Sequence, residues 1–175
     1  MIAHKALSVF LLAAVTLAAA EDIPRPAPAL EAKTIDGRSI SLSELKGKVV
    51  GVLFFLTDCP HCQQTTQSVL APAYARMKSR GLEIIGMAIN HPPVEANLKS
   101  FAKQFDVAFP LALSSTKEMY TFAGKSLLQR LGVPYLLLVD RQGRIRGDHP
   151  GRDREFWLNQ NANVPAAFEA LLNEK

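Results

Sequence analysis

Hydrophobic and polar positions along this chain switch between two periods, and the switches divide it into short strands and helices. Val49-Val50-Gly51-Val52-Leu53-Phe54-Phe55-Leu56 is an apolar run, rich in β-branched and aromatic side chains, and reads as a buried strand. Before it, Asp36-Gly37 separates two short alternating runs, Ala32 to Ile35 and Ser39 to Leu42, which signals a β-hairpin. After the strand, Val69, Leu70, Ala73, Tyr74 and Met77 recur at helical spacing as far as Arg80-Gly81, and Pro72 is expected to kink that helix. Leu82 to Asn90 is the next strand, broken by His91-Pro92-Pro93. Glu95 to Phe105 follows as a helix with Leu98, Ala102 and Phe105 inward. Phe109 to Leu113 reads as a short strand, Glu118 to Leu131 as a helix, and Tyr135 to Val139 as a buried strand. Asp140-Arg141-Gln142-Gly143 then turns into a strand from Arg144, and a helix over Pro165 to Leu172 closes the chain. Strands alternating with helices imply an α/β fold, a central sheet covered on both faces.

The first residues follow a different rule. Lys5 is the only fixed charge before the apolar stretch Ala6 to Ala20, which ends in Ala18-Ala19-Ala20 ahead of Glu21-Asp22. Residues 1–20 therefore read as a secretory signal peptide cleaved after Ala20, with an uncleaved N-terminal anchor as the alternative. Residues 21–30, with Pro24, Pro26 and Pro28, read as an extended linker, and 31–175 as one domain large enough for a real core. Export would place the chain where disulfides persist, in the periplasm or another extracytoplasmic compartment. Overall the chain carries 20 Lys+Arg against 16 Asp+Glu, a formal net charge of +4 with no block of like charge, so nucleic-acid binding is unsupported. Arg141, Arg144, Arg146, Arg152 and Arg154 crowd one stretch among Asp140, Asp148, Asp153 and Glu155. A mixed-charge surface is the default there, a partner-docking patch the alternative.

Candidate chemistry centres on the chain's 2 cysteines, which sit together as Cys59-Pro60-His61-Cys62 directly behind the buried strand. Pro60 is favoured at the first position of a helix, so the motif lies where a strand feeds a helix N-terminus. Backbone N–H groups and the helix dipole there favour a thiolate on Cys59. A cysteine pair so placed suits cycling between dithiol and disulfide. One Cys-x-x-Cys cannot by itself build a four-ligand zinc site.

The order of features then matches a known pattern. Lys46-Gly47-Lys48, Cys59 to Cys62, Gly132-Val133-Pro134 and Val139-Asp140-Arg141-Gln142-Gly143-Arg144-Ile145 resemble the corresponding motifs of the TlpA/ResA-type thioredoxin-like family. The resemblance implies a thioredoxin-like fold, a central mixed sheet flanked by helices with an N-terminal β-hairpin extension. It also implies protein thiol-disulfide exchange. On that basis Cys59 is the attacking thiolate and Cys62 the resolving thiol. Pro134 matches the family's cis-proline facing the cysteines across a groove, and Val133 would offer its backbone to an extended substrate segment, with Pro60 beside it. No cofactor and no metal is implied, because the cysteine pair is itself the redox centre. Protein thiols and disulfides are the expected partners, together with a membrane-bound redox partner, and the chain is read as a monomer.

Several residues bear on the direction of reaction. A protonated His61 would stabilise the Cys59 thiolate and make the disulfide more oxidising, and Pro60-His61 is the pair found in DsbA-type oxidases. The family's members include reductants, so the two hints oppose each other. Asp58 stands where many members have Trp. Its charge would oppose a thiolate unless it turns away to cap the helix. Leu53 and Thr65 occupy positions where thioredoxins and many ResA-like proteins carry an acid. His91 could touch substrate, though a plain loop residue is the simpler expectation; Phe156 and Trp157 are expected to pack a late helix. Two rival functions remain. A peroxiredoxin-like thiol peroxidase needs a Pro-x-x-x-Thr/Ser-x-x-Cys frame, and this chain has Val52 and Leu56 there. A copper-binding metallochaperone of the same fold could use Cys59, Cys62 and His61 or His91 as soft ligands.

Overall fold

The computed structural model describes residues 23–174, so the segment read as a signal peptide lies outside the described residues. In chain order the first elements are β1 (Arg25–Pro26), β2 (Glu31–Lys33), β3 (Ser39–Ser41), β4 (Val49–Phe55), α1 (Pro60–Thr65), α2 (Ala71–Met77) and β5 (Leu82–Ala88). Then come α3 (Glu95–Gln104), β6 (Leu111–Leu113), α4 (Thr116–Ala123), β7 (Tyr135–Val139), β8 (Arg144–His149), α5 (Arg154–Leu158) and α6 (Gln160–Asn173). The main sheet has the order β1-β8-β7-β4-β5-β6. It is mixed: β4, β5 and β6 run parallel, whereas β7 is antiparallel to β4 and β8 to β7.

Every residue of β4 is buried, because the sheet is covered on both faces. Val49, Leu53 and Phe55 point to one face and pack with Leu70, Ala73 and Met77 of the helices after the cysteines, Leu98 and Phe101 of α3, and Phe168 of α6. Val50, Val52 and Phe54 point to the other and meet Met119 and Phe122 of α4 together with Leu30 and Leu42 beside the hairpin. The period-2 alternation of a strand thus feeds two cores at once. The hairpin β2–β3 forms at the expected turn, with Gly37 at φ 87, a conformation that favours glycine. A bridge from Thr34 to Ala112 and a bond from Ile35 N–H to Leu111 O (2.9 Å) dock it on the β6 edge.

Elsewhere the structure departs from the sequence reading for local reasons. The helix expected over 118–131 is α4, which starts earlier and ends at Ala123. Ser115 caps it by accepting from Glu118 N–H, and Gly124 stops it in the left-handed conformation at φ 62. The helix expected from Pro165 begins at Gln160 and carries Pro165 inside it. Pro72 falls in the first turn of α2. A π-helical turn, Thr66–Leu70, lies ahead of α2, and Ala71 N–H reaches back to Thr66 O, so the missing proline donor falls at a widened turn. Within the stretch read as a linker, Arg25 and Pro26 form β1 and pair with Ile145 and Arg144 of β8. The buried Arg25 guanidinium donates to Ala123 O (2.6 Å). No helix among the described residues is long and apolar enough to cross a membrane.

Packing between β5 and its neighbours leaves no spare volume. A Cβ added at Gly86 would lie 2.4 Å from Leu111 Cδ2 and 3.3 Å from Phe55 Cε1. Gly86→Ala should therefore destabilise the fold by about 1–3 kcal/mol, read as a lower denaturation midpoint in urea with an unchanged slope.

Candidate active site

The pairing pattern brings three chain segments to one edge of the sheet. Phe55 at the end of β4 pairs with Ala88 at the end of the parallel β5, and Phe54 pairs with Tyr135 at the start of the antiparallel β7. The residues after β4, those after β5 and those before β7 consequently share that edge.

After β4 the chain is pinned before it reaches the cysteines. Thr57 N–H donates to Asn90 Oδ1 (3.0 Å), Gln63 Nε2 donates to Thr57 O (2.8 Å), and Asn90 Nδ2 donates to Asp58 Oδ1 (3.1 Å). Asp58 therefore does not cap α1, contrary to the sequence reading. Cys59 is the N-cap, with extended backbone, and its Sγ accepts from Cys62 N–H at 3.3 Å. Pro60 opens the helix as expected, since its missing N–H would have had no helical partner there. The sulfur thus receives an N–H that a Ser or Asp side chain usually receives, at the positive end of the helix.

The two thiols differ in environment. Cys59 is partly exposed and Cys62 fully buried, and both are free. Burial pushes the Cys62 thiol far above the usual thiol range, and its contact with Cys59 adds to the shift. Behind Cys62 the position occupied by an acid in many ResA-like proteins holds Thr65, fully buried and donating to Gln160 Oε1 (2.6 Å). Leu53 is buried in the core. Neither position supplies a charge.

His61 stands edge-on to Trp157, with ring centroids 5.6 Å apart at 82°. Partial burial lowers its pKa and favours the neutral imidazole, which works against the protonated state considered from the sequence. Trp157 is fixed by its Nε1–H to Pro150 O (2.8 Å), and it packs on Phe156, against which His149 stacks at 3.6 Å. Phe156 and Trp157 do pack a late helix, α5, but their placement beside the cysteine motif had no signal in the sequence. Asn90 was missed as well. Its only clue was position, at the end of the strand expected over 82–90. His91 next to it is exposed.

Across the edge, the Val133–Pro134 peptide bond is cis and Pro134 is buried. Among the described residues no partner takes the Val133 N–H or C=O. The segment before it is clamped to the loop after β8: Gly151 N–H donates to Gly132 O (3.2 Å) and Arg152 N–H to Leu131 O (3.1 Å). The two backbones approach so closely that a Cβ on Gly151 would lie 2.6 Å from Val133 N and 2.7 Å from Gly132 C. Among the described residues no group of three or more His, Cys, Asp and Glu side chains converges to hold a metal ion.

A family model described as Redoxin matches residues 23–166. The chain belongs to the Redoxin family. It is 32% identical over 124 residues to the thiol-disulfide oxidoreductase ResA of Bacillus cereus, covering 70% of this chain and 66% of that relative. A second ResA, from Bacillus thuringiensis subsp. konkukian, is 28% identical over 139 residues, covering 79% of this chain and 76% of the relative. Among solved structures, a thioredoxin-family thiol:disulfide interchange protein from Chlorobium tepidum matches with a TM-score of 0.73 at 26% identity, covering 88% of this chain and all of the other. This redoxin is accordingly a TlpA/ResA-like, thioredoxin-fold thiol-disulfide oxidoreductase.

Two outcomes follow for the redoxin. Gly151→Ala should leave the chain folded by circular dichroism yet slow thiol-disulfide exchange by about tenfold or more, because backbone rather than side chain must yield beside Val133. Iodoacetamide at about pH 8 should modify Cys59 and spare Cys62, as read by mass spectrometry of the native protein. Cys62 becomes reactive only well above the ordinary thiol range or on unfolding.

Proposed function

We propose that this redoxin is an exported enzyme that reduces disulfides in partner proteins, working as a monomer through a mixed disulfide on Cys59. The observation that carries the reading is the asymmetric pair: Cys59 Sγ partly exposed and bonded by Cys62 N–H, Cys62 buried and held protonated. The Cys59 thiolate attacks one sulfur of the substrate disulfide. A Cys59–substrate S–S bond forms, and the other substrate sulfur leaves as a thiolate that takes up a proton. Cys62 then loses its proton to solvent or to the departing sulfur and attacks Cys59 Sγ. The Cys59–Cys62 disulfide closes and the second substrate thiol is released. The substrate gains two electrons and the enzyme loses two, so turnover needs a dithiol donor, which in an exported setting is a membrane-bound redox partner.

Val133 supports the substrate side of this reading. Its unpaired N–H and C=O next to the cis-proline suit an extended segment that adds to the edge as a strand, with Pro60 exposed at the start of α1. Export is supported by the apolar, small-residue-terminated N-terminal stretch. The reducing direction is supported by His61: burial disfavours the charged ring, and with it the positive charge beside Cys59 that makes a disulfide strongly oxidising.

Cys59→Ser should abolish turnover, and Cys62→Ser should accumulate a covalent mixed disulfide with the natural partner on non-reducing gels. Equilibration with thiol buffers should place the wild-type pair closer to about −270 mV, the thioredoxin value, than to about −120 mV, the DsbA value. A potential near the latter would reverse the direction proposed while leaving the cysteine roles intact. Full reductase activity in Cys59→Ser would sink the mechanism.

A further inference from the structure

The arginine-rich stretch of the sequence divides in space. Arg141 donates to Leu171 O, Leu172 O and Glu174 O at the end of α6, Arg146 is paired with Asp140 and Glu174, and Arg144 donates to Pro24 O. These three tie Pro24 and the end of α6 to the sheet. Arg152 and Arg154 are exposed, and neither has a carboxylate within 4.0 Å among the described residues; the same holds for Arg130.

Their place in the fold is beside the substrate edge. Arg152 N–H bonds to Leu131 O, and its Cγ packs 3.5 Å from where a Cβ of Gly132 would stand, next to Val133. Arg130 immediately precedes Leu131. The turn leading there displays Leu127 at 66% and Leu128 at 94% exposure. That turn is built: Leu128 N–H donates to Ser126 Oγ (3.2 Å), Gln129 N–H to Ser126 O (3.0 Å), and Tyr120 Oη–H to Gln129 O (2.5 Å). Adjacent exposed leucines held outward by a fixed turn, with unpaired cations beside them, mark an interaction surface rather than incidental exposure.

We propose that Leu127, Leu128, Arg130 and Arg152 are the docking surface for the protein substrate, and that they select cysteine-bearing segments that are acidic and carry a bulky apolar side chain. The proposal rests on the strand-addition reading of Val133 above. Charge complementarity chooses the occupant. A second copy of this chain would bring like charge against like, since its formal net charge is +4 and the rim itself is cationic.

The test uses the full reduced chain and three small probes. Two are synthetic peptides with one cysteine activated as a mixed disulfide with thionitrobenzoate, identical except that Glu in one is Lys in the other, each with a Leu beside the charges. The third is 2-hydroxyethyl disulfide, which has neither charge nor chain. The acidic peptide should release thionitrobenzoate about tenfold faster than the basic one at low salt, and the gap should close as ionic strength rises. Arg130→Glu with Arg152→Glu should invert that preference. Leu127→Ser with Leu128→Ser should slow both peptides several-fold, on the order of a lost apolar contact. All variants should reduce 2-hydroxyethyl disulfide at the wild-type rate.

Equal rates for the two peptides, or a preference that survives the charge reversal, would overturn the docking surface and leave the oxidoreductase reading standing. So would a concentration-dependent dimer that Leu127→Ser with Leu128→Ser abolishes, or co-sedimentation with phosphatidylglycerol vesicles without any peptide preference. Failure to reduce 2-hydroxyethyl disulfide would overturn both.

Discussion

The structure depends on the burial of β4 between two layers. A strand with every residue buried must occupy the middle of the sheet, because only there are both faces and both edges covered. Its neighbours are then β5, parallel, and β7, antiparallel. That combination brings the C-terminal ends of two strands and the N-terminal end of a third to one edge. The cysteine motif, Asn90 and the cis-proline segment come from sequence positions far apart, and they meet because of those strand directions.

The electrostatics of the site rest on burial more than on charge. Cys62 is raised by desolvation, and His61 is lowered by the same cause. The carboxylate nearest Cys59 in sequence, Asp58, is bonded to Asn90, so it is held in place rather than left to swing onto the helix end. What distinguishes Cys59 is local backbone: the Cys62 N–H is aimed at its Sγ, and the helix starts beneath it. A site arranged this way discriminates between its two thiols without a buried acid. The neutral Thr65–Gln160 pair behind Cys62 fits that arrangement, satisfying two polar side chains without adding charge.

The edge itself is reinforced from behind. Gly151 lets the loop after β8 lie directly on the backbone of Gly132 and Val133, and Trp157 on the following helix reaches His61. One segment, from Pro150 to Trp157, therefore touches both the cis-proline segment and the cysteine motif. It also carries Arg152, so the element that holds the cis-proline segment in position contributes to the surface around it.

By itself the sequence determined the parts governed by near neighbours. The buried strand, the hairpin at Asp36-Gly37, the strand Tyr135 to Val139 and the cysteine pair at a helix start were all legible, because hydrophobic period, turn chemistry and helix capping act over a few residues. A local error came from a competing short-range signal: Gly124 ended a helix whose apolar period ran on. Only the tertiary structure decided which polar groups the site contains. Asn90 holding Asp58, Trp157 shielding His61, Gly151 against Val133, and the division of the arginines between structural and free all join residues distant in the chain. Burial and desolvation, which set the state of Cys62 and His61, depend on what the folded chain packs around a group, and no local pattern of residues carries that information.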